Sequence, residues 1–257
     1  MKTISNEILF SRNRGLVSPE EQTMLANTSI AMIGTGGDGG LLAERLVRFG
    51  IGKIILADPE FFEPANCNRQ FAAYRKNMGR NKAEAVADEL RMINPNLIVE
   101  VYNEGITSEN LSAIVAAADI VVDEIEYSLP ALSVMLHREA RKQNKHVFMG
   151  ANIGWGASCF CFAPNGTTFE EHFEYDETNG TINPLRYLKS VPDYLDNEML
   201  EAVLMCNMPM PSLSSSVSLV ASMVANEIIL FRTGKRNPLI VPQFITIDLF
   251  NLTINTQ

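Results

Sequence analysis

Cysteine, histidine and tryptophan are scarce in this chain, and their placement excludes more than their number does. The 257 residues hold four cysteines, Cys67, Cys159, Cys161 and Cys206, and no two of them form a C-x-x-C pair. A tetrahedral zinc site of the usual paired-thiolate form cannot be assembled from them, so no structural zinc is expected. Without export features the same thiols are not expected to form disulfides either. The three histidines, His137, His146 and His172, pair with no Ser or Cys at a spacing that suggests hydrolytic chemistry. Each is read as structural or solvated.

Long apolar runs and basic clusters are missing too. No secretory or transit segment is recognised at the start, and the longest weakly apolar run, 213–231, is rich in Ser and broken by Asn226 and Glu227. It is read as a buried helix, and a cytoplasmic protein without a membrane span is expected. Lysine and arginine number 21 against 30 acidic residues, giving a formal net charge of −9. An acidic surface repels nucleic acid, so such a partner is disfavoured, although Arg45, Arg48, Arg75, Lys76 and Arg80 could gather into a local patch.

What the chain does contain is a regular alternation of helical and strand patterns. Apolar residues recur at helical spacing over 82–92, 110–117, 130–143 and 213–230, and short apolar strands fall at 97–101, 120–122 and 147–149. The 46% hydrophobic fraction is enough to fill a large core. The expectation is one α/β domain, Rossmann-like, with a largely parallel sheet, helices on both faces and an extended C-terminal β part. Its division would run as an N-terminal arm (1–28), a nucleotide-binding core (29–163), a crossover or partner loop (164–211) and a C-terminal helix and strand (212–257). Residues 157–162 alternate as a strand, which gives Cys159 and Cys161 a packing role. Beyond them periodicity is lost, and so long a loop in a compact protein is usually functional or mobile. Its acidic run, 170–177, reads equally as partner surface or as a solvated insertion. Trp155 stands between Gly154 and Gly156 after a strand, where it either lines a site or packs.

The most informative stretch begins at Ile30. Gly34-Thr35-Gly36-Gly37-Asp38-Gly39 joins an apolar strand to a helical segment, and Asp58 closes the next strand. Glycines there permit a tight turn, the helix N-terminus offers free N–H groups to phosphate, and the acid can accept hydrogen bonds from a ribose. This much fits a nicotinamide dehydrogenase as well as an ATP-using enzyme. Asn66, Arg69, Gln70 and Lys82 follow, and hydride transfer has no standing need of them. Adenylation of a carboxylate does, because two anions approach and pyrophosphate departs, so compensation of phosphate charge carries most of the catalysis. A forked Arg69, a point-charge Lys82 and two amides suit that task, and the attacking carboxylate is already ionised near neutral pH.

The run Asp58-Pro-Glu-Phe-Phe-Glu-Pro-Ala-Asn66-Cys-Asn-Arg69-Gln70, then Gly79-Arg-Asn-Lys82 and Ile93-Asn94-Pro95, resembles the ThiF/MoeB/HesA family, bacterial relatives of ubiquitin-activating enzymes. The resemblance extends over almost the whole chain. It implies an adenylyltransferase that uses ATP and Mg²⁺ to activate the C-terminal glycine of a small ubiquitin-like or sulfur-carrier protein. Within the family a subgroup activates a carboxylate on modified tRNA, and another a short peptide. The resemblance also implies that Gly34, Gly36, Gly37 and Gly39 surround the nucleotide, that Asp58 holds the ribose, and that Asn66, Arg69, Gln70 and Lys82 contact phosphates. Arg14 would arrive from the neighbouring subunit of a homodimer. Glu126 falls at the family's magnesium-binding Asp, and a carboxylate there remains adequate for Mg²⁺. Cys206, near the end of the irregular stretch, is the thiol that could form a covalent link to a carrier.

One departure concerns the turn itself. Asp38 stands where the family usually has a small or apolar residue, and a carboxylate beside phosphates weakens binding unless it points away. It is expected to face outward as an N-terminal helix acid. A protein that kept the fold and lost turnover stays open as an alternative, as does NAD-linked oxidoreduction.

Overall fold

The computed structural model describes residues 4–204 and 210–256. The order of elements is α1 (Asn6–Leu9), α2 (Pro19–Ala26), β1 (Ser29–Ile33), α3 (Gly37–Phe49), β2 (Lys53–Ala57), α4 (Lys82–Ile93), β3 (Ile98–Tyr102), α5 (Leu111–Ala116), β4 (Ile120–Asp123), α6 (Pro130–Lys142), β5 (Val147–Ile153), β6 (Gly156–Phe162), α7 (Phe169–Phe173), α8 (Asn197–Leu204), α9 (Ser214–Arg232), β7 (Ile245–Asp248) and β8 (Thr253–Thr256). The strands form a single sheet in the order β3-β2-β1-β4-β5-β6-β7-β8. The first five run parallel, and β6, β7 and β8 are added antiparallel. The expected Rossmann-like fold is therefore observed.

Period-2 alternation decides which face each strand residue supplies. In β1, Ile30 and Met32 enter a core with Leu42, Leu46, Leu90, Val220 and Val224 from α3, α4 and α9. Ala31 and Ile33 point the other way, to Leu111, Leu136, Phe169 and Phe173 from α5, α6 and α7. Both faces of the parallel strands are covered, which is why β1 and β4 read as continuous apolar runs. Full burial of each such side chain contributes about 1.5–3 kcal/mol.

Local chemistry sets the helix boundaries. Ser18 and Glu21 form a reciprocal capping box at α2, Thr168 and Glu171 another at α7, and Asn81 caps α4 through Glu84 N. α9 is long and apolar enough to cross a membrane. Here it is a core helix, with Val217, Val220, Ala221, Val224 and Ile228 at 1% exposure or less.

Two expectations change. Residues 164–211 contain α7, a 3-10 turn at Pro184–Tyr187 and α8, elements too short for their period to stand out in sequence. The acidic run is solvated on its charged side but anchored to the core: His172 and Phe173 are buried, while Glu170 and Glu177 pair with Arg138, and Glu174 with Arg186. Cys159 and Cys161 are buried in β6, as expected, and Cys67 is exposed.

Candidate active site

At the carboxyl ends of β1, β4 and β5 the chain encloses a cavity of about 580 Å³. Open parallel sheets bind ligands at this edge, where the strand order reverses around β1. Its wall is built by Gly37 and Asp38 of α3, Glu60 and Arg69 after β2, Glu124 to Ser128 after β4, Met149 to Ile153 of β5 with Gly154 just after it, and Met210 to Ser212 ahead of α9. Leu185, Tyr187, Leu188, Leu195 and Leu200 close it from the irregular stretch.

The glycine turn is held from two sides. Gly34 has φ +94°, a conformation that suits glycine, and a β-carbon there would lie 2.1 Å from Glu124 O. Gly39 lies so close beneath the turn that its β-carbon would meet Gly34 O at 2.1 Å. Asp58 fixes the next residue: Oδ2 accepts from Thr35 N at 2.7 Å and Thr35 Oγ1 at 3.0 Å, and Oδ1 accepts from Glu60 N at 2.9 Å. The α3 N-terminus at Gly36 carries no side-chain cap, so its N–H groups are left for an anion.

Around this turn the expected phosphate residues converge. A β-carbon on Gly36 would lie 3.8 Å from both Gln70 Nε2 and Lys82 Nζ, and one on Gly37 would lie 3.8 Å from Arg69 Nε. Arg69 also donates to Ala65 O at 3.2 Å and Asn68 Oδ1 at 2.8 Å. Lys82, with its side chain 6% exposed, pairs with Glu60 at 2.5 Å. Gln70 Oε1 is buried without a hydrogen-bond partner among the described residues. Asn66 instead uses its carbonyl locally, accepting from Glu63 N at 2.9 Å.

Asp38 corrects the outward reading. It is 9% exposed, lines the cavity and accepts from Asn152 Nδ2 at 2.7 Å through Oδ2. Helix geometry places the second residue of α3 toward β5, so the acid cannot turn to solvent. Burial raises its carboxyl to about 7 against the hydrogen bonds from Asn152, with Glu126 raising it further. A carboxyl in that range is substantially protonated at neutral pH, which eases the repulsion toward phosphate that an ionised group would exert. Glu124 is raised well above the ordinary range by burial, then by Asp38 and Asp123, and its Oε1 accepts from Gly150 N at 3.1 Å.

Glu126 lies at the cavity mouth. Although the residue as a whole is exposed, its carboxyl faces the cavity lining, and loss of water there, followed by the charge of Glu60, raises its pKa. Below it, Asp123 accepts from Ile125 N at 3.0 Å and meets His137 Nε2 at 3.0 Å. This buried pair shapes the turn that carries Glu124 and Glu126. Sequence reasoning missed Glu60, Asn81, Glu124, Asn152 and Ser212. Of these Asn81, whose amide donates to Asp58 O at 2.9 Å and Glu60 O at 3.2 Å, had a signal in its place immediately before an apolar helix.

Other expected residues are not in this group. Arg14 is exposed and bonded to Glu7 at 2.6 Å, outside the cavity of its own chain. Trp155 is 45% exposed and stands outside the lining. Cys206 lies outside the described residues.

Comparison with known proteins gives a concordant result. The ThiF family profile matches residues 10–257. The chain is 34% identical over 120 residues to the tRNA threonylcarbamoyladenosine dehydratase of Escherichia coli strain K12, covering 46% of this chain and 45% of that protein. It is 32% identical over 166 residues to the SAMP-activating enzyme E1 of Haloferax volcanii, covering 65% and 61%. It is 39% identical over 104 residues to ubiquitin-like modifier-activating enzyme 5 of Caenorhabditis briggsae, covering 40% and 23%. The matches thus span between 23% and 61% of these relatives' lengths. Among solved structures, PaaA superposes with a TM-score of 0.74 at 19% identity, covering all of this chain and 75% of the other. The microcin C7 biosynthetic enzyme MccB, in complex with N-formylated MccA, gives 0.74 at 20% identity over 98% of this chain and 72% of its own. Fold, glycine turn and profile agree, and the chain belongs to the ThiF family.

Proposed function

We propose that the protein is an ATP-dependent adenylyltransferase that activates the terminal carboxylate of a small protein or peptide as an acyl-adenylate. The observation that carries this reading is the approach of Arg69, Gln70 and Lys82 to Gly36 and Gly37 beside a cavity large enough for an acyl chain. The α-phosphate of ATP would lie over the α3 N-terminus. A substrate carboxylate oxygen attacks the α-phosphorus, the bond to the bridging oxygen breaks, and pyrophosphate leaves with that bonding pair. Arg69 and Lys82 offset the charge that accumulates, and no proton need be removed. In the free protein Glu60 holds Lys82, so incoming phosphate exchanges one anionic partner of the lysine for another.

Mg²⁺ fits Glu126. Among the described residues no three His, Cys, Asp or Glu side chains form a cage, but Mg²⁺ bound with a nucleotide needs only one or two carboxylates, phosphate oxygens and water. A cation would also offset the charges of Glu60 and Asp58, which add to burial in raising the Glu126 pKa. When bound it supplies neutralisation of phosphate charge. Glu126 would hold it, and Asp123 with His137 keeps the turn carrying Glu126 in place.

A ubiquitin-like or sulfur-carrier protein with a C-terminal glycine is the first acyl substrate to test. Two relatives are named as activating enzymes, and MccB has been solved with its peptide. The residues of 184–200 and 210–212 would form the groove for that chain end. Arg14 would complete the phosphate site of a partner in a homodimer, and the setting would be the ATP-supplied cytoplasm. With the chain in the ThiF family the nicotinamide reading is set aside.

Exchange of labelled pyrophosphate into ATP, dependent on a candidate carrier or peptide, tests the reading. Thermal stabilisation by Mg·ATP tests its first half alone. At 100 times the dissociation constant, a ligand adds about 2.7 kcal/mol, a shift of several degrees for a chain of this size. No shift with Mg·ATP would favour a non-catalytic protein of the same fold.

A further inference from the structure

Asp38 has an oxygen that the fold does not use. Its Oδ2 is bonded to Asn152 Nδ2 at 2.7 Å, whereas Oδ1, equally buried, has no hydrogen-bond partner among the described residues. The orientation of Asn152 is not arbitrary, because its Oδ1 accepts from Ser212 Oγ at 2.7 Å. Ser212 is fixed in turn by its carbonyl, which accepts from Asn68 Nδ2 at 3.0 Å. This chain of contacts turns the Asn152 amide N–H toward Asp38 and holds the carboxyl against the cavity wall. A buried acceptor left unmatched in a polar cavity is the complement of a donor that arrives with a ligand.

The surroundings define that donor. The cavity wall carries Asp38, Glu60, Glu124 and Glu126 against Arg69. Lys82 is paired with Glu60, and Arg69 sits beside Gly37 on the phosphate side. Glu124 Oε1 is satisfied by Gly150 N. Asp38, one residue beyond Gly37, lines the same cavity as Leu185, Leu188 and Leu195. An acyl group delivered to a phosphate over the turn would enter that cavity. Resting on the adenylation reading above, we infer that Asp38 is a specificity residue of the acyl site: its free oxygen, with the carboxyl in its ionised form, accepts a hydrogen bond from an N–H donor that the substrate carries beside the carboxylate being activated, so the arriving donor takes the place of the proton that the empty site holds. Two sources share that chemistry, the backbone amide of the terminal residue and an amide or ammonium on its side chain. Asn152 and Ser212 act through Asp38 as positioning residues.

The test uses acyl-sulfamoyladenosines, in which the adenosine anchors the ligand and the acyl group alone varies. Calorimetry on the full chain would compare pentanoyl, which has no N–H in its acyl chain, with N-acetylglycyl, which has a backbone amide, and with N-acetyl-lysyl and N-acetyl-glutaminyl, which add side-chain donors. In the wild type at least one donor-bearing class is expected to bind about tenfold or more tighter than pentanoyl, and the class that does so identifies the source. Asp38→Leu is expected to close that gap while keeping affinity for AMP. Asp38→Asn, which retains the volume and removes the charge, is expected to lose most of the same advantage, so the test survives if the leucine variant fails to fold. Equal affinities in the wild type, or a gap that persists in both variants, would overturn the inference. Loss of AMP binding in the variants with selectivity unchanged would overturn it as well, by assigning Asp38 to the nucleotide. If neither AMP nor any analogue binds the wild type, the adenylation reading itself fails, and Mg·ATP stabilisation reports that separately.

Discussion

Asp58 binds Thr35 twice, accepting from its backbone N–H at 2.7 Å and its hydroxyl at 3.0 Å through one oxygen. The contact ties the end of β2 to the glycine turn after β1, so the acid positions the turn before any ribose arrives. A carboxylate has about four acceptor sites, and Oδ1, bonded to Glu60 N, retains capacity for a ribose hydroxyl. The two roles are therefore compatible.

Asp58→Ala is expected to lose stability as well as nucleotide affinity. It strands the buried Thr35 donors, at a cost of about 3 kcal/mol for hydrogen bonds to a charged acceptor. A fall in the urea midpoint without a change in slope would agree. An unchanged midpoint would limit Asp58 to the ligand.

Arg69→Ala and Lys82→Ala are expected to separate binding from folding in a different way. Each should slow pyrophosphate exchange by about 10²–10³-fold, the loss typical of one preorganised charge-stabilising group. Arg69 is partly exposed and should leave the melting temperature nearly unchanged. Lys82 is buried against Glu60, and its removal should lower stability measurably. Retained exchange in both variants would sink the mechanism.

The contrast between these residues explains what was legible in sequence. Parallel strands and their helices announce themselves because burial on both faces gives continuous apolar runs such as 30–33 and 120–122. Arg69, Gln70 and Lys82 follow one motif at short spacing, and the structure brings all three to the turn. Asn152 and Ser212 were not legible, since Asn152 meets Asp38 across 114 residues and Ser212 meets Asn152 across 60. The direction of Asp38 was misread for the same reason: an acid in a first helical turn ordinarily favours solvent, and only the distant amide of Asn152 explains its burial. Helices α7 and α8 were hidden by their brevity, which leaves the period too few turns to register.

The Asp38 carboxyl should make stability pH-dependent in a defined direction. Its ordinary value is 3.8 and burial raises it to about 7, so between these values the folded chain holds a proton that the unfolded chain releases. Stability then falls as pH rises through that window and levels off above about 7. The expected slope is about 1 kcal/mol per pH unit. Glu124, raised by burial and by Asp38, steepens it. Urea denaturation at several pH values between about 4 and 8 should show this decline, and Asp38→Leu should flatten it. An identical pH profile in the variant would mean that the proton resides elsewhere, and Glu124→Gln would be the next substitution.

The glycines of the turn should divide by what their missing side chains would strike. At Gly34 and Gly39 an added β-carbon meets backbone carbonyl oxygens at 2.1 Å, and backbone has nowhere to retreat between β1 and the Glu124 strand end. Alanine at either position is expected to cost several kcal/mol or displace the turn, on the order of the larger losses known for strained backbone sites. At Gly36 the nearest atoms are the ends of Gln70 and Lys82 at 3.8 Å, an ordinary contact distance. Gly36→Ala should therefore fold with a smaller loss of melting temperature than alanine at Gly34 or Gly39. Its methyl group nevertheless faces Gln70 and Lys82, so, on the proposed assignment of these residues to phosphate, stabilisation by Mg·ATP should be lost or greatly reduced. Paired melting curves with and without Mg·ATP distinguish the cases. If Gly36→Ala keeps its full ATP shift, the phosphates do not lie over this turn, and the assignment of Gln70 and Lys82 to them falls with it.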